Sequence, residues 1–269
     1  MNTVKTNILL GLFIGCTVST SAFASPNNNN DNQQQALESR PNIIYILADD
    51  LGWGELGSYG QTQIATPNLD ILAAEGMRFT QHYSGAPVCA PSRGTLQTGK
   101  HTGHGYIRDN FELPKSQLAL PSEEVTVAEL LKQANYQTGF IGKWGLGGNE
   151  SQGQPNKQGY DFFYGYLDQK IAHNYYPTHL WRNDKQEALS GNHAFESHQS
   201  ISNLSVFWSL FSDDGKNRES IHKEYQGKHY APDLMLEESL NFIDSNKEQP
   251  FFLVFASLVP HLALQVPDD

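Results

Sequence analysis

Apolar residues along the chain gather in short runs that polar or glycine-rich stretches separate. Residues 42–47 and 251–257 are continuous β-rich apolar runs, which are typical of strands buried on both faces. Residues 77–83 and 137–141 predict two further strands. The strands are therefore expected to be spread along the chain from residue 42 to residue 257.

Helices are predicted between these strands. Thr66 and Pro67 supply an N-cap and a first-turn proline for a helix that ends at Gly76, and its expected apolar face is formed by Leu69, Leu72 and Ala73. A capping box of Thr126 and Glu129 begins a second helix, and residues 232–246 have the apolar spacing of a third. This alternation predicts an α/β fold with a mostly parallel sheet flanked by helices.

Polar segments follow three of the predicted strands. Asp49 and Asp50 come directly after the first run, and other polar segments follow Ile141 and Ser257. Ligands of open parallel sheets bind beyond the carboxyl ends of the strands, so these segments are expected to meet at one edge. Residues 147–218 are rich in Gly, Asn, Gln, His and aromatic residues, which predicts loops and hairpins.

The composition is that of a globular, acidic protein. Hydrophobic residues make up 38% and charged residues 17% of the 269 residues, which excludes disorder for most of the chain. The net charge of −11 and the lack of a basic stripe argue against nucleic acid as a partner. An anionic substrate would therefore need a local positive group, such as a bound metal ion, to overcome the overall field.

The amino terminus has the features of an export signal. An apolar run over residues 8–18 follows Lys5, and Ala22-Phe23-Ala24 is a small-x-small cleavage site, so residues 1–24 are predicted to be a signal peptide. The run is shorter than the ~20 residues of a membrane-spanning helix, and no other segment is long enough to span. The protein is therefore expected to be exported, to the periplasm or the medium.

Two further regions follow the predicted signal peptide. Residues 25–39 are mostly Asn, Asp and Gln and predict a flexible leader, whereas residues 40–269 are predicted to form the folded domain. Cys16 lies within the signal, where it leaves lipid anchoring as an alternative, so the mature chain retains only Cys89. A single thiol in an oxidising compartment is expected to be buried, used chemically or modified.

The residues around Cys89 form a recognisable motif. Cys89-Ala90-Pro91-Ser92-Arg93 is followed by Thr98-Gly99, and this pattern resembles the signature of the type I sulfatases, an arylsulfatase-like family of the alkaline phosphatase superfamily. Residues 41–52, 66–70 and 142–144 are similar to the same family. The resemblance extends from about residue 40 to the last residue.

The resemblance implies an alkaline-phosphatase-like α/β fold and hydrolysis of sulfate monoesters of carbohydrates or aryl groups. The family's nucleophile is formylglycine (3-oxoalanine), which a maturation enzyme makes from cysteine. After hydration to a geminal diol, one oxygen attacks sulfur and the other later expels sulfate. The implied partners are a sulfated small molecule or glycan and the formylglycine-generating enzyme.

The family also uses a calcium ion, and the resemblance implies its ligands. Asp49, Asp50 and the modified Cys89 correspond to metal ligands, and hard carboxylate oxygens suit Ca²⁺. Taken alone, an Asp-Asp pair after a strand has a structural alternative, since it also caps turns. A lone thiol likewise has the alternative of simple burial.

Charged residues of the same motifs are implied to act in catalysis together with Cys89. Arg93 and Lys143 are implied to hold the diol and sulfate oxygens, because fixed cations are most effective where charge shifts during transfer. His261 is implied to contact sulfate or to protonate the leaving oxygen. A lone Arg or Lys is ordinarily solvated surface, and a histidine in a loop need have no role.

The chain departs from the family pattern at two places. Gly145 stands where many members carry a histidine, and the alternatives for a group that approaches the diol are His101, His104 and His173. The chain also stops at Asp269, without the Asp-Asn metal pair and the further lysine of the family, so it is expected to be an amino-terminal fragment with little activity of its own.

Three functions remain open at this point. The first is sulfate ester hydrolysis, the second is phosphonate monoester or phosphodiester hydrolysis by a related enzyme, and the third is a non-catalytic sulfatase-like protein. Polar and aromatic side chains of the long loop region are expected either to contact a sugar ring or to pack within the loops; they are His173, Asn174, Tyr175, Tyr176, His179 and Trp181.

Overall fold

The computed structural model describes most of the predicted folded domain, namely residues 40–110, 112–113, 116–192, 226–261 and 265–267. The predicted signal peptide and leader lie outside the described residues, as does the later part of the predicted loop region. Within these ranges, no helix has the length and apolar character needed to cross a membrane.

Strands and helices alternate over the described residues, and we number them in chain order. The strands are β1 (Ile43–Asp49), β2 (Glu112–Leu113), β3 (Ser116–Gln117), β4 (Gln137–Lys143), β5 (Phe162–Tyr166), β6 (His179–Arg182), β7 (Lys185–Ala188) and β8 (Phe251–Pro260). The helices are α1 (Pro67–Glu75), α2 (Cys89–Thr98), α3 (Val127–Gln133) and α4 (Ala231–Asn246).

The main sheet of the described residues has six strands in the order β1-β8-β4-β5-β6-β7. β1, β8, β4 and β5 are parallel neighbours, whereas β6 and β7 form an antiparallel hairpin at one edge. The predicted α/β class is confirmed, and the hairpin makes the sheet mixed. Four parallel strands thus end side by side at the edge where ligands are expected.

Side chains alternate across the sheet, so a hydrophobic cluster lies on each face. On one face Phe140, Phe252 and Val254 pack in a cluster that includes Ala128 of α3. On the other face Ile141 and Leu253 lie in a cluster with Met235 and Phe242 of α4. The sheet is therefore covered on both sides across β4 and β8, as parallel strands require.

The predicted start of α3 is confirmed at atomic level. Thr126 Oγ1 accepts a hydrogen bond from the Glu129 backbone N–H at 3.2 Å, and Glu129 Oε2 accepts one from the Thr126 N–H at 2.8 Å. The two bonds satisfy donors that the first helical turn leaves free. α3 then leads into β4, which extends two residues beyond the predicted end and finishes at Lys143.

The prediction that β1 is buried on both faces is wrong. Ile43 and Tyr45 pack against the core, but Ile44 and Ile46 on the opposite face are 47% and 63% exposed. β1 is an edge strand of the sheet, and the described residues leave its second face largely exposed. A continuous apolar run does not by itself reveal how many faces are covered.

Two further predictions differ from the structure. Residues 77–83 contain no strand, because they lie in an irregular segment between α1 and α2. α1 is present as predicted, but none of its residues is buried, and its expected apolar side chains Leu69 and Leu72 are exposed. Its described contacts are with the turn at Gly57–Tyr59, where Asp70 Oδ1 accepts a hydrogen bond from the Ser58 N–H at 2.5 Å.

Two glycines allow β4, β5 and β8 to approach each other closely just before Lys143. Gly142 pairs with Gly165 of β5 and with Ala256 of β8, and both glycines have positive φ, +123° and +145°. A Cβ on Gly142 would lie 1.9 Å from the Ala256 carbonyl oxygen, and one on Gly165 would lie 2.1 Å from the Gly142 oxygen. Only glycine fits at these positions.

Candidate active site

The three predicted segments meet at the carboxyl edge of the sheet. Asp49 is the last residue of β1, Lys143 is the last residue of β4, and His261 directly follows β8. Cys89 is the first residue of α2, and its side chain contacts both Lys143 and His261. The structure therefore brings the candidate residues together from four separate elements.

A buried cluster of one carboxylate and two cations forms the floor of the site. Asp49 Oδ1 lies 3.1 Å from Arg93 Nη2, and Asp49 Oδ2 lies 2.8 Å from Lys143 Nζ. The side chains of Arg93 and Lys143 are 4% and 0% exposed, so neither is an ordinary surface cation. Arg93 also donates a hydrogen bond through Nη1 to the Lys143 carbonyl oxygen. Two positive charges share one negative charge, which leaves the cluster a net cation.

The sulfur of Cys89 lies against this cationic cluster. Lys143 Nζ is 3.3 Å from Cys89 Sγ, and His261 also hydrogen-bonds to the thiol. Cys89 occupies the first turn of α2, where the helix dipole favours negative charge. The side chain of Asn110 holds this end of the helix, because its Oδ1 accepts a hydrogen bond from the Ala90 N–H at 2.8 Å.

Unmodified Cys89 is expected to be a reactive thiol. Burial favours the neutral form, but the hydrogen bond from His261 and the charge of Lys143 outweigh it and hold the pKa of Cys89 below its usual value. The thiolate therefore forms at lower pH in the folded chain than in the unfolded chain.

The pH dependence of iodoacetamide labelling measures this effect, followed by mass spectrometry of the peptide that contains Cys89. We expect the midpoint in the folded chain to lie below that of the same chain in urea. Coincident midpoints would contradict the arrangement of Lys143 and His261 around the sulfur.

Asp50 differs from Asp49 in its surroundings. It adopts φ +60°, a conformation that Asp tolerates better than most residues, and its side chain is 65% exposed. Its Oδ2 lies 3.3 Å from Nε2 of His261. Neighbouring carboxylates thus have different environments, one paired with buried cations and one directed toward solvent and His261.

The site opens into a groove of about 750 Å³. Its lining combines the end of β1, the segment 82–88 and the first turns of α2, including Asp49, Asp50 and Cys89. The exposed face of β1 contributes Ile46 to the same groove. The groove has room for a ligand larger than a sulfate ion beside the sulfur.

The candidate metal ligands have suitable chemistry but are few. Carboxylate oxygens of Asp49 and Asp50 are hard donors of the kind that Ca²⁺ prefers, at six to eight oxygens per ion. Among the described residues, however, no group of three or more Asp, Glu, His or Cys side chains is arranged to hold a metal. Both oxygens of Asp49 are also engaged by cations. Asp49 and Asp50 are therefore the two candidate carboxylate ligands that the described part of the chain brings to the site.

The position of Gly145 shows where the site lacks the side chain that many family members carry. A Cβ there would lie 3.5 Å from Arg93 Cδ and 3.5 Å from the Gln169 Cβ, so the position borders the arginine of the cluster. Gln169 is buried, and its Oε1 has no hydrogen-bond partner in the structure. Nothing in the sequence pattern indicated Gln169, because it lies in an aperiodic loop.

The structure separates the three histidines considered as substitutes for a residue at position 145. His101 and His104 pack against each other, with ring centroids 4.7 Å apart, beyond the far end of α2. Since α2 has ten residues, this end is about 15 Å from Cys89. His173 instead packs against His261, with ring centroids 4.6 Å apart.

Three of the six loop side chains expected as possible sugar contacts are buried. Asn174, Tyr175 and Tyr176 have little exposed surface, and the Tyr175 hydroxyl donates to the carbonyl oxygens of Leu258 and His261. Tyr175 therefore supports the end of β8, and none of these three side chains is available to a ligand. The alternative of packing within the loops is confirmed for them.

Comparisons with known proteins agree with this architecture. A family model described as sulfatase matches residues 41–269. The arylsulfatase of Hemicentrotus pulcherrimus is 33% identical over 245 residues, which are 88% of this chain and 40% of that protein. Human arylsulfatase A is 47% identical over 131 residues, covering 48% of this chain and 26% of its own length.

Solved structures give the same result. Ps i-CgsB, known from a crystal structure, is 32% identical in sequence to this chain, with a TM-score of 0.58. The match covers 86% of this chain and 47% of that one. BT4656 is 28% identical with a TM-score of 0.59, over 83% of this chain and 35% of that one.

The predicted alkaline-phosphatase-like fold is confirmed by these sulfatase neighbours. In matches that cover most of this chain, the chain spans about 40–49% of the length of the curated relative. The family model and the match to the Hemicentrotus pulcherrimus arylsulfatase nevertheless cover nearly all of the folded domain. This chain belongs to the sulfatase family.

Proposed function

We propose that the protein hydrolyses sulfate monoesters with a nucleophile derived from Cys89. The observation that carries the proposal is the position of the Cys89 sulfur, 3.3 Å from the buried Lys143 ammonium and hydrogen-bonded to His261. A nucleophile in this position has fixed positive charge beside it and a proton donor within reach. These are the groups that transfer of an anionic sulfuryl group requires.

Formylglycine at position 89 would supply, once hydrated, one hydroxyl that attacks sulfur and a second that expels sulfate by re-forming the aldehyde. The chain's own residues do the remaining work. Lys143 holds the position of the nucleophile and, with Arg93, stabilises the negative charge on the sulfate oxygens. Asp49 fixes both cations, since it bridges them at 3.1 and 2.8 Å.

His261 is the proposed proton donor to the oxygen of the departing alcohol. It follows β8 directly, and its carbonyl oxygen accepts a hydrogen bond from Tyr175, which ties the backbone at this point. Its Nε2 lies 3.3 Å from Asp50 Oδ2, and its side chain also hydrogen-bonds to the thiol of Cys89. Protonating the leaving oxygen avoids the release of a free alkoxide, and histidine does this near neutral pH.

Calcium is part of the proposal, with Asp49 and Asp50 as two of its ligands and residue 89 as a third after maturation. A bound ion there would supply the local positive charge that a chain of net charge −11 needs to attract an anion. Further oxygen ligands are required to complete six to eight, beyond those that the described residues provide.

The proposed substrates are sulfated carbohydrates, with aryl sulfates as the alternative. BT4656 was solved with its substrate, a glucosamine disulfate, and Ps i-CgsB with a neocarrahexaose. Several curated relatives are named arylsulfatases. The groove of about 750 Å³ beside Cys89 is large enough for a sugar ring.

Export and maturation complete the proposal. We infer from residues 1–24 that the protein is exported to the periplasm or the medium, and from the motif after Cys89 that a formylglycine-generating enzyme modifies it. A lone thiol beside a lysine would be exposed to oxidation in such a compartment. Conversion to formylglycine removes this thiol.

Peptide mass spectrometry across residue 89 tests the nucleophile, on protein purified from its exporting host. We expect the mass of formylglycine in place of cysteine, and turnover of aryl or sugar sulfates that exceeds turnover of the matching phosphate esters. Unmodified cysteine in nearly all molecules would overturn the mechanism and favour a non-catalytic protein. Formylglycine with preferred turnover of phosphodiesters or phosphonate monoesters would favour the second candidate function.

A further inference from the structure

A short segment after β5 returns the chain to the active site. It ends in a single 3-10 turn, Ile171–His173. The Asp168 carboxylate fixes the start of this turn by accepting hydrogen bonds from the backbone N–H groups of Lys170 and Ile171 at 2.7 and 3.3 Å. At its end, the Tyr166 hydroxyl donates to the Asn174 carbonyl oxygen at 2.5 Å. His173 is therefore presented by an anchored backbone.

The ring of His173 lies flat against the ring of His261. The two centroids are 4.6 Å apart and the planes differ by 16°. A stacked neighbour covers one face of an imidazole and leaves the ring edge, which carries both nitrogens, free to bond. The edge of His261 bonds in this way to Asp50, at 3.3 Å, and to Cys89.

We propose that His173 is a positioning residue of the active site, which holds the His261 ring in the orientation that directs its edge toward residue 89. The inference rests on the proposed function for its catalytic consequence. Without the stacked ring, rotation of His261 about its side-chain bonds would direct the nitrogens away from the departing oxygen. A misplaced proton donor slows the chemical step more than it weakens binding of the ester.

The stacked pair also places a second imidazole, that of His173, at a site that has glycine at position 145. Gly145 borders Arg93 on the side of β4, whereas His173 reaches the site from the segment after β5. His101 and His104 form a similar pair at the far end of α2, away from Cys89. Of these two histidine pairs, only that of His173 and His261 lies next to the candidate residues of the site.

Steady-state kinetics of the matured protein with calcium test the proposal. The variants are His173→Ala, which removes the ring, His173→Leu, which fills its volume without a planar ring, and His173→Phe, which restores a planar ring. We expect kcat on a sulfate ester to fall about 2- to 10-fold in the Ala and Leu variants, the range for loss of an aromatic pair, with KM within about 2-fold. The Phe variant should retain kcat close to that of the wild type.

His104→Ala is the matched control, because it removes one ring of a histidine pair outside the site. A kcat unaffected by His173→Ala would overturn the proposal. So would a Phe variant as impaired as the Ala variant, because His173 would then act through its nitrogens and not through stacking.

An NMR experiment on the unmodified chain separates this inference from the proposed function. The stacked ring of His173 shields the His261 Hε1 proton, so His173→Ala should move that resonance downfield while His173→Phe keeps it near its wild-type position. A His261 resonance insensitive to His173→Ala would overturn the stacking in solution. Wild-type protein without sulfatase turnover would overturn the proposed function instead, and this resonance alone would then decide the inference.

Discussion

Replacing Asp49 by asparagine is expected to destabilise the folded chain by about 3–5 kcal/mol, the usual cost of removing one partner from a buried ion pair. Asp49 is the carboxylate between Arg93 and Lys143, which are 4% and 0% exposed. An asparagine has no charge, so both buried cations would lose their counterion and neither could reach water. The measurement is the free energy of unfolding in urea, followed by fluorescence of the buried Trp144.

Asp50→Asn is the matched control for Asp49→Asn, because it changes the neighbouring carboxylate in the same way. Its side chain is 65% exposed, so we expect a change in unfolding free energy within about 0.5 kcal/mol. Equal losses in the two variants would contradict the burial and pairing that distinguish the two residues.

The stabilising effect of Asp49 should also depend on pH in a defined direction. Burial alone would raise the pKa of Asp49, but the charges of Arg93 and Lys143 and the hydrogen bond from Lys143 outweigh it, so the pKa is lowered in the folded state. The contribution is therefore present above the unfolded-state pKa, near 4, and is lost as the pH falls through the folded-state value. The Asp49→Asn variant should show a weaker acid-induced loss of stability.

Replacing Lys143 by methionine is expected to lower kcat on a sulfate ester by about 10²–10³-fold, the effect of removing one preorganised charge or donor from a reacting centre. Lys143 Nζ lies 3.3 Å from Cys89 Sγ, the atom that the proposed maturation replaces. Methionine keeps most of the side-chain volume without the charge. Asp49 retains its pair with Arg93 at 3.1 Å, so the loss of stability should be smaller than that of Asp49→Asn.

Lys132→Met controls for the general loss of a lysine. Lys132 is 50% exposed and pairs at 2.5 Å with Asp161, which also bonds to Thr138 at the start of β4, the end opposite Lys143. Its kcat should equal that of the wild type, since surface ion pairs contribute little. A Lys143→Met variant with unchanged kcat, after unfolding curves show that it is folded, would contradict the proposed role of the cation.

The position of the site could be predicted because it depends on local patterns. Three apolar strands end at or directly before a polar residue: Asp49, Lys143 or His261. Because the strands are parallel, these residues lie at the same edge of the sheet. The capping box at Thr126 likewise depends on residues three positions apart. Such signals lie within single segments, so the sequence carries them without knowledge of the tertiary contacts.

Features that depend on distant contacts were missed or predicted wrongly. Exposure of Ile44 and Ile46 depends on what covers the edge strand β1, and that is a property of the assembled sheet. The strand β5 lies within a segment whose composition predicted loops and hairpins, and its parallel pairing with β4 decides its conformation. Stacking of His173 on His261 joins residues 88 positions apart, and no local pattern encodes such a contact.

Because Gly142 and Gly165 approach closely, the part of the site on the sheet tolerates fewer sequence changes than the part on the loops. Lys143 takes its position from main-chain pairing of β4 with both neighbours, at a point where no side chain is tolerated. The backbone position of Lys143 is therefore set by the sheet and not by the segment 82–88. Changes in the segment 82–88, which lines the groove, could alter which ester is accepted without displacing the backbone of Lys143. A new specificity can arise here by exchanging loops, while the sheet preserves the chemistry.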